Sequence, residues 1–73
     1  MSASRGYAPS GPLTPAMVAT LRCASRGCTI VETANELHYA VSTVNALRAA
    51  ACARLGASNV VAAVYTASRR GEL

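Results

Sequence analysis

Residues 41–56, VSTVNALRAAACARLG, decide the fold. Val44, Leu47, Ala51 and Leu55 recur at the i, i+3, i+7, i+11 spacing of one helix face. Gly56 follows at once, and glycine is the residue that most easily takes the left-handed conformation that stops a helix. The spacing predicts a helix over residues 41–55 that carries two arginines, Arg48 and Arg54, a run of alanine and no acid.

Working outward, the preceding segment TIVETANELH (29–38) opens with Thr29 and Glu32 in the T-x-x-E order of a capping box, where each side chain satisfies the other residue's free N–H. Ile30, Thr33, Ala34 and Leu37 give this short helix one apolar-leaning face. The residues HYA (38–40) interrupt the pattern for about three positions. A short turn between helices of roughly 8 and 15 residues is the spacing of a helix-turn-helix. Upstream, LTP (13–15) offers Thr14 as a cap and Pro15 at the first helical position, where its missing N–H costs nothing. Met17, Thr20, Leu21, Ala24 and Cys28 would form the inner face of that first helix, with Gly27 ending it. Downstream, Ser58 or Asn59 can cap a fourth helix running to about Arg70, with Val60, Val61, Val64 and Tyr65 as an apolar stripe and Gly71 closing it.

Residues 1–12, MSASRGYAPSGP, have no periodicity and too little apolar surface to order themselves, so a disordered, flexible N-terminal arm is expected there. Arg5 and Tyr7 could touch DNA from such an arm, although the plainer reading is a leader. The expected architecture is therefore all-α: four helices in one domain over residues 13–73.

Composition narrows the function. A chain of 73 residues with no Phe or Trp must build its core from Leu, Val, Ile, Met, Ala and Cys. Such a thin core benefits from a dimer interface, and the stripe Val60, Val61, Val64 and Tyr65 is the candidate seam. The net charge of +4 comes entirely from arginine. It favours a polyanionic partner. No window reaches the roughly 18 apolar residues of a membrane span, and the N-terminus lacks a secretory signal. A cytoplasmic protein with reduced thiols at Cys23, Cys28 and Cys52 is expected. Cys23, Cys28 and His38 raise the question of zinc, but C-x4-C lacks the paired C-x2-C spacing and a clear fourth ligand, so no metal or cofactor is expected. With no Asp, three Glu, and neither a glycine-rich loop nor a nucleophile motif, the sequence gives an enzyme little to work with.

The order of signals resembles the LuxR-type (GerE-like) DNA-binding domain of bacterial transcription regulators. The likeness runs ungapped over residues 13–73: LTP, Leu21, Gly27, the E-x-A-x-x-L of Glu32, Ala34 and Leu37, the TV of Thr43 and Val44, the LG of Leu55 and Gly56, Asn59, the AV of Ala63 and Val64, and the closing G-x-L of Gly71 and Leu73. The resemblance implies a four-helix domain whose third helix enters the major groove of double-stranded DNA and whose fourth helix often serves in dimerisation. Thr29 would meet a phosphate at the start of the second helix, where free N–H groups favour an anion. The positions that supply base contacts in the family are here Asn45, Ala46 and Ala49. Asn45 can pair with adenine N6 and N7, and the alanines can touch thymine methyls. Ala40 stands where the family has a serine cap, leaving Ser42 or the preceding turn to compensate. Leu47 and Arg48 stand where the family has a histidine and an apolar residue, which suggests a slightly rotated apolar face and assigns phosphate or guanine contact to Arg48. Thr29, Ser42, Thr43, Asn45, Ala46, Arg48, Ala49 and Arg54 are thus the expected DNA-contacting residues. The function they imply is that of a dimeric, stand-alone bacterial or bacteriophage transcription regulator. The alternative is a protein-interaction module of the same fold that pairs with or antagonises a host transcription regulator.

Overall fold

In the computed structural model, which describes residues 12–73, helix α1 spans Pro15–Ser25 and starts where LTP predicts. The Thr14 hydroxyl accepts from the Met17 N–H at 3.2 Å, and Pro15 occupies the first turn. The arm expected over residues 1–12, with Arg5 and Tyr7, lies outside the described residues except for Pro12. The chain leaves α1 through Gly27 at φ +86°, with Cys28 N–H donating to the Cys23 carbonyl and Gly27 N–H to that of Ala24. This paired bonding is the Schellman arrangement, and it folds the residue after the glycine back over the last helical turn.

Helix α2 (Ile30–Leu37) opens with the expected capping box: the Thr29 hydroxyl accepts from Glu32 N–H at 3.0 Å, and the Glu32 carboxylate from Thr29 N–H at 2.8 Å. It ends without glycine. His38 itself takes the left-handed conformation (φ +61°), and Tyr39 N–H closes onto the Ala34 carbonyl. Three residues then lead to α3 (Val41–Leu55), which has the predicted bounds. Ala40 has the extended backbone of an N-cap but no side-chain acceptor, and no side-chain hydrogen bond caps the start of α3, so neither Ser42 nor a side chain of the preceding turn supplies the compensation expected of them. After Gly56 and a cap from Asn59 to Ala62 N–H at 2.8 Å, α4 (Val60–Arg69) completes the chain.

The fold is all-α, with four helices and no strand among the described residues. Helix α1 packs against all three others, whereas α2 touches α1 and α3 but not α4. The main core is Met17 and Leu21 of α1 against Ala51 of α3 and Ala63 and Ala67 of α4. Leu47, Leu55, Val60 and Val64 close its margins. Three fully buried alanines let α1, α3 and α4 approach closely, which is how a chain without Phe or Trp fills its interior. Val44, also fully buried, supplies the inner face of α3 nearer its start. Cys28, expected on the inner face of α1, lies beyond the helix end; Cys23 is the cysteine that α1 buries. Thr20 and Thr33 are fully buried, and each satisfies its hydroxyl with the carbonyl four residues back, Ala16 and Thr29 respectively, at 2.9 Å.

Candidate nucleic-acid interface

Packing of α3 through Val44 and Ala51 leaves the opposite side exposed over Ser42, Thr43, Asn45, Ala46, Ala49 and Ala53. Positions 42, 45, 46, 49 and 53 repeat every three or four residues and so form one stripe along the helix. Five of the residues expected to contact DNA, namely Ser42, Thr43, Asn45, Ala46 and Ala49, thus share a single outward surface. Thr29 is exposed at the start of α2, with its hydroxyl engaged in the capping box.

The two arginines of α3 are not on that surface. Arg48 is half-buried and turns back toward the loop before α2, where Nη2 lies 3.4 Å from the Cys28 carbonyl oxygen; its Nε is buried with no hydrogen-bond partner among the described residues. Arg54, also half-buried, donates through Nη1 to the Pro12 carbonyl and ties the chain ahead of α1 to the end of α3. Neither arrangement is visible in the spacing, because an arginine stem long enough to reach solvent is equally able to lie along the protein.

The other cations are distributed around the molecule. Arg26 pairs with Glu36 at 2.5 Å and Arg70 with Glu72 at 2.7 Å. Arg69 donates to the Tyr65 hydroxyl at 3.1 Å while its guanidinium lies 5.7 Å from the ring centre. Arg22 is exposed and makes no ion pair with a described residue. The stripe on α3 is consequently uncharged, with one amide, one hydroxyl and three alanines available to a partner, and the Thr43 hydroxyl beside it.

The expected seam on α4 divides. Val60 and Val64 are half-buried against the core, whereas Val61 is 76% and Tyr65 61% exposed. Only the latter two, one turn apart, form an outward apolar pair.

A second cluster was not legible in the motifs. Cys23, Cys28 and Glu36 bring two sulfurs and a carboxylate within 4.8 Å of one another, and Arg26 Nη2 also reaches Cys23 Sγ at 3.6 Å. The Schellman turn at Gly27 accounts for the two sulfurs, since it stacks the residue after the glycine on the residue five before it. Glu36 arrives from α2, a separate element. Burial pushes the Cys23 thiol above its usual range, with the Glu36 carboxylate adding to the rise and Arg26 opposing it. Burial likewise raises Cys52, against the Arg48 cation. His38 is exposed and outside this cluster.

No helix among the described residues is long and apolar enough by itself to cross a membrane. Compared with known proteins, the chain matches no family model, no curated protein and no solved structure. Among the described residues the chain is an all-α, four-helix protein with an exposed, uncharged surface on its longest helix.

Proposed function

We propose that the chain is a LuxR-type helix-turn-helix protein that binds double-stranded DNA, inserts α3 into the major groove and regulates transcription. The observation that carries this reading is the outward stripe of Ser42, Asn45, Ala46, Ala49 and Ala53 on a 15-residue helix, set after a three-residue turn from α2. A helix of that length rises about 22 Å, and small side chains let its backbone sit deep in a groove roughly 12 Å wide. Asn45 is the group suited to a base, bonding adenine through its amide, while Ala46 and Ala49 suit thymine methyls. Thr29 and the free N–H groups of the first turn of α2 suit a phosphate. Arg48 belongs to the same corner: its present bond is long, and a phosphate oxygen is a stronger acceptor for a guanidinium than a carbonyl at 3.4 Å. Ser42 and Thr43 complete the contact surface, and Arg54 serves it indirectly by fixing the segment before α1 to the end of α3. The protein is proposed to act as a homodimer through Val61 and Tyr65 of α4, in the cytoplasm with the nucleoid.

A titration with random-sequence and selected duplexes across salt concentrations tests this. A DNA binder loses affinity with a log–log slope of about −0.9 per phosphate neutralised. Binding weaker than about 10⁻⁴ M to every duplex at low salt refutes the reading, being weaker than ordinary non-specific DNA affinity.

A second reading is favoured by one feature, the lack of any cation on the α3 stripe. On that reading the same surface docks against a host transcription protein, which it pairs with or antagonises. No duplex then binds in the titration above, and the protein partner binds through the alanines with little salt dependence.

A further inference from the structure

We infer that Cys23, Cys28 and Glu36 form a binding site for a zinc-like divalent cation at the corner between α1 and α2. The ligand atoms converge from three places: the last turn of α1, the residue after its Schellman turn, and the last turn of α2. All lie within 4.8 Å of one another. Around a tetrahedral zinc, with Zn–S of about 2.3 Å and Zn–O of about 2.1 Å, neighbouring donors stand about 3.6–3.8 Å apart, so side-chain adjustments of about 1 Å suffice.

A positive group already occupies this place. Arg26 Nη2 lies 2.5 Å from Glu36 Oε2 and 3.6 Å from Cys23 Sγ, so two of the three donors are oriented on a cation now. Arg26 is exposed, and an exposed ion pair is held weakly, which allows the guanidinium to swing into solvent when a stronger cation arrives. Two sulfurs and one carboxylate select a borderline-soft metal such as zinc over magnesium or calcium, which prefer oxygen alone. On binding, each thiol releases its proton to solvent as its sulfur joins the metal, and water completes the four ligands. The bound ion would fasten the end of α2 to the end of α1 and fix the loop over residues 26–29, which precedes α2 and accepts from Arg48 through the Cys28 carbonyl.

The test uses the full chain, kept reduced with a phosphine, titrated with cobalt(II) and then with zinc under oxygen-free conditions. The expected result is one metal per chain, a thiolate-to-cobalt charge-transfer band with tetrahedral visible bands, loss of both on adding zinc, and a zinc Kd of about 1 μM or tighter. Cys28→Ser abolishes the charge-transfer band or reduces it to that of a single thiolate. Glu36→Gln, an exposed position whose replacement leaves the core intact, weakens binding by about tenfold or more, given that even hydrogen-bonding neighbours of a ligand act on that scale. Arg26→Ala tightens binding a few-fold because it removes the competing cation. A zinc Kd weaker than about 1 μM, an affinity unchanged by Glu36→Gln, or charge-transfer intensity that persists in full in Cys28→Ser overturns the assignment. The readout involves no DNA, so its failure is separate from failure of the proposed function.

Discussion

Among the described residues, Ala40 occupies the one helix start that lacks a side-chain cap, which makes Ala40→Ser an informative perturbation. Its backbone, φ −70° and ψ 153°, is close to that of Thr14 (−77°, 161°) and Thr29 (−73°, 171°), both of which cap their helices. A hydroxyl on the same geometry reaches the Thr43 N–H as Thr29 reaches Glu32 N–H at 3.0 Å, so no backbone movement is required. A cap of this kind is worth about 1 kcal/mol, within a range of about 0.5–2. For a domain of this size that raises Tm by about 4–8 °C. Thermal and urea unfolding followed by circular dichroism reads the change, and an unaltered urea slope shows that it lies in stability rather than in the compactness of either state. Ser42→Ala is the matching control: Ser42 is exposed within α3, and its replacement should stay within about 0.5 kcal/mol of the parent. A Tm unmoved by Ala40→Ser would show that residue 40 does not cap α3, and a loss in Ser42→Ala as large as that of a cap would show that α3 starts two residues later with Ser42 as its cap.

Arg48→Met keeps the apolar stem and removes a buried, unpartnered Nε, so stability should change by less than about 1 kcal/mol while affinity for all duplexes falls alike; a loss confined to particular sequences would assign Arg48 to a base instead. Val61→Glu should leave the fold intact and yield a monomer by sedimentation, whereas Val64→Glu places a charge against the core and should unfold the chain; a Val61→Glu protein with unchanged oligomeric state removes α4 from the interface. His38→Val should cost about 1–2 kcal/mol in urea unfolding because a β-branched residue resists φ +61°, while His38→Gly should cost much less; equal losses for the two would show that the His38 side chain, not its backbone, matters.

The parts of the fold legible in the sequence are those set by local bonds between side chain and backbone. Thr14 with Pro15, Thr29 with Glu32, Asn59, and the glycines at 27 and 56 mark helix ends through chemistry confined to a few residues: α1, α2 and α4 begin, and α1 and α3 end, at them. The rotation of each helix was harder to read, because alanine gives little contrast between faces. Ala51, Ala63 and Ala67 are fully buried while Ala46, Ala49 and Ala53 are exposed, and nothing in an alanine distinguishes the two sets. The same ambiguity let Val60 and Val64 be grouped with Val61 and Tyr65, although tertiary packing separates them. Arg48 and Arg54 illustrate a different limit: the flexible stem can direct a guanidinium to solvent or back to a carbonyl, and only the surrounding elements decide. Within the candidate interface, Asn45, Ala46 and Ala49 come from the likeness to the LuxR-type domain rather than from spacing, and with Ser42 they lie on the exposed side of α3. The Cys23–Cys28–Glu36 cluster was not legible, because its third ligand comes from another helix and its first two are joined by a turn rather than by a metal-binding spacing.

Selection from random duplexes, followed by titration of Asn45→Ala, is the sharpest test of the proposal that the uncharged stripe of α3 reads duplex DNA. The expected result is that a preferred sequence emerges, that it contains an adenine whose replacement costs about 1–3 kcal/mol, and that Asn45→Ala removes this preference while leaving non-specific binding and its salt slope in place. If no sequence is enriched, or if Asn45→Ala binds the selected duplex as tightly and as selectively as the parent, the stripe does not read DNA.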